Sequence, residues 1–320
     1  MQKIVVIGAS PIVIFHIKAL KEVSLEPIAI ASSNVDSTTI EKFALENNIA
    51  KHYSDWKKML RDEVFDGILI ASRIESTIAI LHESIKYNVP ILVEKPISFD
   101  SDSLRKIIES SHDKIMVGYN RRFYKTIRHI KKIIDEKKEI VLAYMVTPET
   151  PTIRKFFDNT SHSIDMLRFI FGEIQINFVK KIISEGKIRG VVATFITEQN
   201  DIIQFIGNWG ASDNFSLSTY IGKKKLELRP FEELNIYEGM DIVEPTDESP
   251  IRKYIPRMIE SIKLENIDSK IKPGFFQQAS EFAQMIKTNS KPKNASTLVD
   301  AKKTLEICEE LVGKFDNNNS

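Results

Sequence analysis

Three residues of this 320-residue chain have the types and spacing to move a proton between heavy atoms. Lys95 stands in Val93-Glu94-Lys95-Pro96, directly after a short apolar run where a buried strand would end. An ammonium at a strand tip can polarise an oxygen or pass it a proton. Asp158 and His162 lie four apart in Asp158-Asn159-Thr160-Ser161-His162, and Asp165 follows three further on. On a helix this spacing puts them on or near one face. A carboxylate beside an imidazole can fix its tautomer and raise its basicity, which suits a general acid/base acting on a hydroxyl. The same spacing also fits a helix-capping aspartate followed by a partly exposed histidine. Lys-Pro after a strand also fits a plain turn. The one cysteine, Cys308, falls in the helical pattern TLEICEELV and reads as a buried structural thiol. No set of metal ligands is expected.

The elements that must position these residues fall into two groups. Up to about residue 120, short apolar runs alternate with helical patterns. Strands are expected at Ile4–Ile7, Pro27–Ala31, Gly67–Ala71, Ile91–Val93 and Ile115–Val117. Helices are expected between them, at Pro11–Val23, Thr38–Asn47, Trp56–Arg61, Ser76–Tyr87 and Ser101–Ser110. Runs this apolar are buried on both faces, which predicts a doubly wound α/β fold with a parallel sheet. In such sheets ligands bind at the carboxyl ends of the strands, and Lys95 lies at one of those ends. From Arg121 the pattern changes. A helix (Thr126–Glu136), a strand (Ile140–Val146), a Pro/Thr-rich turn (Thr147–Thr152) and a helix (Asp158–Phe171) precede a run of strands from Ile174 to Val243. Two helices, Phe275–Lys287 and Leu298–Phe315, close the chain. The expected domains are therefore residues 1–120, with a Rossmann sheet, and 121–320, an α+β domain with a large, mostly antiparallel sheet. Phe195, Phe205 and Trp209 are candidates for its core or for an interface.

The turn after the first strand reads Ile7-Gly8-Ala9-Ser10-Pro11-Ile12-Val13, where a dinucleotide fold carries three glycines. Gly8 supplies the tight turn. Ser10 and Val13 stand at the other two glycine positions. Ser10 crowds the approach to a diphosphate but offers a hydroxyl. Pro11 suits the first turn of a helix while removing one N–H, and Val13 is expected to push the helix off the sheet. The second strand ends in Ala31-Ser32-Ser33-Asn34, with no acid to hold a ribose diol short of Asp36, and no arginine for a 2′-phosphate.

Taken together and in order, these segments resemble the glucose-fructose oxidoreductase / inositol dehydrogenase family. The matching points are Gly8-Ala9 with His16 and Ala19-Leu20, Asp66 to Ala71, Glu94-Lys95-Pro96, and Val117 to Phe123. They continue with Asp158, His162 and Asp165 before Phe171-Gly172, then Phe276–Ile286 and Leu298–Leu311. The resemblance implies NAD or NADP as cofactor. It implies hydride transfer to or from a hydroxyl or ketone of a sugar, nucleotide-linked sugar or polyol. It carries Lys95, Asp158 and His162 over as the catalytic trio. It puts the cofactor on Gly8, Ser10, Pro11, Ile12, Ser32, Ser33, Ala71, Ser72, Glu94 and Lys95. Tyr119, Asn120 and Arg122 would join Asp158 and His162 around the substrate, or serve as plain packing. The chain departs from the family at Ser10 and Val13. It departs again at Ser72-Arg73-Ile74-Glu75-Ser76-Thr77, in place of a Pro-Pro and histidine, and at Phe156-Phe157, in place of a glycine pair. These departures leave two further expectations. One is a non-catalytic sugar-binding or assembly paralogue with a degenerate cofactor loop. The other is an enzyme that oxidises its substrate only transiently while cleaving a glycosidic bond. Relatives commonly pair through the second domain's sheet, so a homodimer or homotetramer is expected.

The bulk properties are those of an ordinary globular protein and argue against polyanion binding. A net charge of +1 gives no field to draw in nucleic acid or acidic membranes. Hydrophobic residues at 42% and charged residues at 28% are ordinary for a globular protein. No apolar run approaches the roughly 20 residues of a spanning helix. The opening MQKIVVIG is expected to enter a strand at once, so no secretory leader is expected, and a lone cysteine predicts a reducing cytoplasm.

Overall fold

The computed structural model describes residues 1–32, 37–149, 152–264, 267 and 270–313. The chain divides into two compact units, the first made of residues 1–123, 157–165 and 265 onward, the second of 124–156 and 166–264.

The first unit opens with β1 (Gln2–Ile7), α1 (Pro11–Glu22), β2 (Leu25–Ala31), α2 (Ser37–Glu46), β3 (Lys51–Tyr53) and α3 (Trp56–Asp62). It continues with β4 (Gly67–Ile70), α4 (Ile74–Ser84), β5 (Ile91–Val93), α5 (Ser101–Ser110) and β6 (Ile115–Val117). The strands form one parallel sheet in the order β3-β2-β1-β4-β5-β6. Ile4 to Ile7, Ile68 to Ile70 and Ile91 to Val93 are fully buried, as expected of β-branched strands covered on both faces. The edge strand β3 has no apolar run to announce it. Its residues are Lys51, His52 and Tyr53, and main-chain pairing with Ala29 to Ala31 holds it.

The division differs from a single boundary at residue 120. The closing helices return to the first unit, because their apolar faces need its surface. These are α9 (Phe275–Thr288) and α10 (Leu298–Val312). Helix α9 packs on α1, and its Phe275, Ala279, Phe282 and Met285 lie in one core cluster with Val13, Ile17 and Leu20. Helix α10 packs on α5 and α9 is followed by a capping box, Thr297 with Asp300, that starts α10. Cys308 on α10 is fully buried, as its pattern predicted.

The second unit holds α6 (Lys125–Asp135), β7 (Leu142–Glu149), the short helical turn α7 (Ile153–Lys155), and the end of α8 (Ser161–Phe171), which begins in the first unit. Then come β8 (Ile174–Ser184), β9 (Lys187–Thr197), β10 (Ile202–Trp209), β11 (Ser216–Ile221), β12 (Lys224–Leu228), β13 (Glu233–Val243) and β14 (Lys253–Lys263). They form one sheet in the order β14-β13-β12-β11-β7-β10-β9-β8, antiparallel except where β7 meets β10. Alternation puts Ala193, Phe195, Phe205 and Leu217 in the core, fully buried, with Trp209 nearly so. The three aromatic candidates are thus core residues. Strand β7 runs on through Thr147-Pro148-Glu149, where a turn was expected, because its register with β10 continues to Trp209 opposite Glu149. Strand β14 lay beyond the expected run of strands, which ended at Val243, since most of it is exposed and lacks a period-two burial pattern.

Candidate active site

The order of the first sheet reverses between β1 and β4, one running toward β3 and the other toward β6. At such a switch point the loops diverge and leave a crevice at the carboxyl edge. Gly8 to Ile12 follow β1, Ser32 follows β2, Ala71 and Ser72 follow β4, and Glu94 and Lys95 follow β5, all along this edge. Ser33 and Asp36 lie outside the described residues. Gly8 has φ +118°, and a Cβ there would stand 2.1 Å from the Ala71 carbonyl oxygen. Glycine is therefore required for β1 and β4 to close below the turn. Ser10 caps α1 with extended backbone but makes no side-chain cap bond, and Pro11 takes the first helical position. Val13 does not hold the helix off the sheet as expected. It is fully buried in the core cluster with Ile4, Val6 and Ile30, so its bulk fills the helix–sheet seam. Pro11 and Arg73 are exposed. The free helix start and the glycine turn fit a dinucleotide's diphosphate. Ser72 spends its hydroxyl on Thr77, 2.9 Å away.

Beside this edge, Lys95 Nζ donates to the Asp158 carbonyl oxygen at 2.7 Å and to Asp158 Oδ1 at 3.3 Å. Glu94 is turned the other way. Its Oε1 lies 2.6 Å from His16 Nε2, and its Oε2 accepts from the Lys95 backbone N–H at 3.1 Å. A Cβ at Gly118 would meet the Glu94 carboxylate at 2.9 Å, so glycine there lets Glu94 reach its place. His16 is 2% exposed and packs on Phe275 with ring centroids 4.7 Å apart. Glu94 thus positions the strand tip that carries Lys95. His16, read from the sequence only as part of a matching helix, is its anchor.

The Asp158–His162 pair departs from expectation. Phe156 to Thr160 form a π turn and α8 begins only at Ser161. In π winding the bonds run five residues apart, so residues four apart are not stacked. The Asp158 carboxylate is engaged by Lys95, and among the described residues no hydrogen bond joins it to His162. His162 is 8% exposed, its Nδ1 has no partner among the described residues, and Tyr119 packs edge-on against it, 5.5 Å between centroids. Burial, then the charges of Lys95, Arg121 and Lys272, push the imidazole well below the usual histidine range. The expected rise in basicity is therefore reversed, because cations and not a carboxylate set its field. Arg121 and Lys272 were not singled out as site residues. Lys272 lies over a hundred positions from His162 in sequence, and no local pattern links them.

Tyr119, Asn120 and Arg122 are buried supports. Tyr119 is 1% exposed, and burial with the nearby Asp165 charge raises its phenol well above the ordinary value. Asn120 gives its amide to the Pro273 carbonyl at 2.8 Å. Arg122 Nε and Nη2 grip both oxygens of Asp165 at 2.7 Å each, and Nη1 reaches Asp300 at 3.5 Å. The packing alternative describes these three better than substrate contact. Through Arg122, residues 157–165 are fastened to the first unit.

A parallel sheet whose order reverses at a glycine turn is the arrangement of a dinucleotide-binding fold. Residues 2–120 match the oxidoreductase family with an NAD-binding Rossmann fold. It is 28% identical over 182 residues to an uncharacterized oxidoreductase of Bacillus subtilis, covering 52% of this chain and 53% of that one. It is 24% identical over 200 residues to a myo-inositol 2-dehydrogenase of Thermotoga maritima, covering 58% of each. The chain thus spans somewhat over half the length of these curated relatives. A myo-inositol dehydrogenase of Lactobacillus casei, solved with NAD(H) and myo-inositol, shares the fold at TM-score 0.71 and 19% identity, over 96% of this chain and 92% of that one.

Proposed function

We propose that this chain is an NAD(P)-dependent oxidoreductase that moves a hydride between a nicotinamide and a hydroxyl or ketone carbon of a sugar, nucleotide-linked sugar or polyol. The observation that carries the reading is the meeting, in one compact unit, of Lys95, Asp158 and His162 beside the carboxyl edge. Gly8, Ser10, Pro11, Ile12, Ser32, Ala71 and Ser72 would hold NAD or NADP along that edge, and the bound nicotinamide supplies the hydride acceptor or donor. His162, held neutral, takes the proton of the reacting hydroxyl as hydride leaves its carbon. Lys95, oriented by Asp158, donates to the same oxygen and stabilises its negative charge as it develops. In the reverse direction His162 returns the proton to the alkoxide. The burial of Val13 in the helix seam favours this reading over a non-catalytic paralogue with a blocked loop.

The test is titration of the intact chain with NADH and NADPH, followed by calorimetry or nicotinamide fluorescence. Binding of at least one cofactor in the micromolar range is expected, lost on Gly8→Val. Binding of neither overturns the proposal. We further propose that the exposed face of the second unit's sheet pairs with another copy. On adjoining strands Leu142, Tyr144 and Tyr220 are 54%, 42% and 47% exposed and share that face.

A further inference from the structure

Two titratable side chains lie beside Lys95 and take no part in the proposed chemistry. His16 sits near the middle of α1, and Glu94 directly follows β5. His16 is buried and the Glu94 side chain is 14% exposed. The two oxygens of Glu94 have separate tasks. Oε1 meets His16 Nε2 at 2.6 Å, and Oε2 accepts from the Lys95 backbone N–H at 3.1 Å. A carboxylate only accepts, so Nε2 is the nitrogen that carries the hydrogen. The surroundings fix the pair from two further elements. The Gly118 backbone closes on the carboxylate so tightly that a Cβ there would stand 2.9 Å from the carboxyl carbon. Phe275 of α9 lies against the His16 ring, 4.7 Å between centroids.

The sheet does not need this pair. Main-chain pairing with β4 and β6 holds Ile91 to Val93 without either side chain. A buried ion pair also adds little net stability over apolar side chains of the same volume. What it contributes here is direction. Glu94 fixes the Lys95 backbone at one end, and at the other end Nζ reaches the Asp158 carbonyl at 2.7 Å. A side chain held at both ends has few conformations left, which is what a group aimed at a reacting atom requires.

We infer that His16 is a positioning residue for Lys95: through Glu94 it aims the lysine at the reacting oxygen, and the Glu94 carboxylate does not contact the cofactor. This rests on the oxidoreductase reading above, which gives Lys95 its task. Glu94 was expected among the cofactor contacts, but both its oxygens are engaged within the protein. The pair thus ties α1, whose start would hold the diphosphate, to the residue that serves the substrate.

The test reads the Lys95 amine directly on the full chain. Trinitrobenzenesulfonate labels lysine amines, and mass spectrometry of the digested chain gives the rate at each one. The Lys95 side chain is 13% exposed. Lys114, 7% exposed and bonded to the Asn88 carbonyl at 2.6 Å, is the internal control. Glu94→Gln turns one acceptor into a donor, so it can serve His16 or the Lys95 N–H but not both. His16→Leu removes the donor altogether. Each should speed labelling of Lys95 about fivefold or more, the opening that loss of one hydrogen bond allows. His16→Gln keeps a donor near the place of Nε2 and should stay within about twofold of the wild-type rate. Lys114 should keep its wild-type rate in all three variants. Titrated with NADH and NADPH, Glu94→Gln should bind within about twofold of wild type.

An unchanged Lys95 rate in Glu94→Gln overturns the inference, as does a His16→Gln chain that labels as fast as His16→Leu. A parallel rise at Lys114 overturns it too, because the pair then only holds the unit together. Weakened cofactor binding by Glu94→Gln overturns it by returning Glu94 to the cofactor. If His16→Leu does not fold, Glu94→Gln, which leaves no bare charge inside, decides alone. The oxidoreductase reading fails separately, if neither cofactor binds the wild-type chain, and the labelling, done without cofactor, still decides the inference.

Discussion

At the residue scale the site rests on a reversal of charge logic. A histidine beside an aspartate would be a stronger base than usual, but His162 is buried among cations and stays neutral. Its folded pKa is depressed, so protonation favours the unfolded chain. The stability it contributes is full above its unfolded value near ~6.5 and is lost as pH falls below that. The same shift sets the activity profile. For alcohol oxidation the acid limb of kcat/KM should fall below pH ~6.5. Lys272→Gln removes one cation and should move that limb upward, which a pH–rate series on both proteins checks. Lys95→Met should lower kcat by about a hundredfold or more, since it removes the donor at the developing alkoxide. Cofactor titration should still show binding to that variant, and an unchanged kcat would refute the role.

The elements of the first unit are locked by two contacts with no slack. Gly8 combines a left-handed φ with a carbonyl 2.1 Å from where a side chain would begin. Gly8→Ala should cost about 2 kcal/mol or more, read as a lowered denaturation midpoint. The second contact is the fork of Arg122 on Asp165, which ties the start of α8 to the unit that carries Lys95. Both partners are nearly fully buried. Arg122→Met leaves a bare carboxylate inside and should destabilise by about 3–5 kcal/mol. The double variant Arg122→Met/Asp165→Leu should recover much of that loss. Urea denaturation of wild type and the single and double variants tests the cycle.

At the scale of the whole molecule the second sheet has one buried face and one that shows apolar side chains to solvent. Apolar patches of this kind on a sheet mark association surfaces. Sedimentation should find a homodimer or homotetramer, and Tyr144→Glu should shift it toward monomer without lowering the melting temperature of the isolated protomer. A wild-type chain that sediments only as monomer would remove the pairing proposal. Among the described residues no helix is long and apolar enough to cross a membrane.

The strands β1, β4, β5 and β6, with the helices between them, were legible because buried parallel strands are apolar runs and covering helices carry a 3.6 period, both local properties. The turn at Gly8, Lys95 at a strand tip and the buried Cys308 followed from the same local rules. Strand β3 was silent because its three residues form no apolar run, and the main-chain pairing that places it in the sheet leaves no mark in side-chain type. The partners of the site residues were equally hidden. Spacing set Asp158 against His162, but a π turn parted them, and Lys95 took the carboxylate. Arg122 was open to substrate contact or plain packing, and its grip on Asp165 had no mark in the local sequence. The charge of Lys272 acts on His162 from over a hundred positions away in sequence. Local sequence determines which elements form and which faces they bury, since those depend on neighbours a few residues apart. Which charges meet, and so what protonation state His162 holds, depends on groups brought together across the chain, and only the tertiary structure decided it.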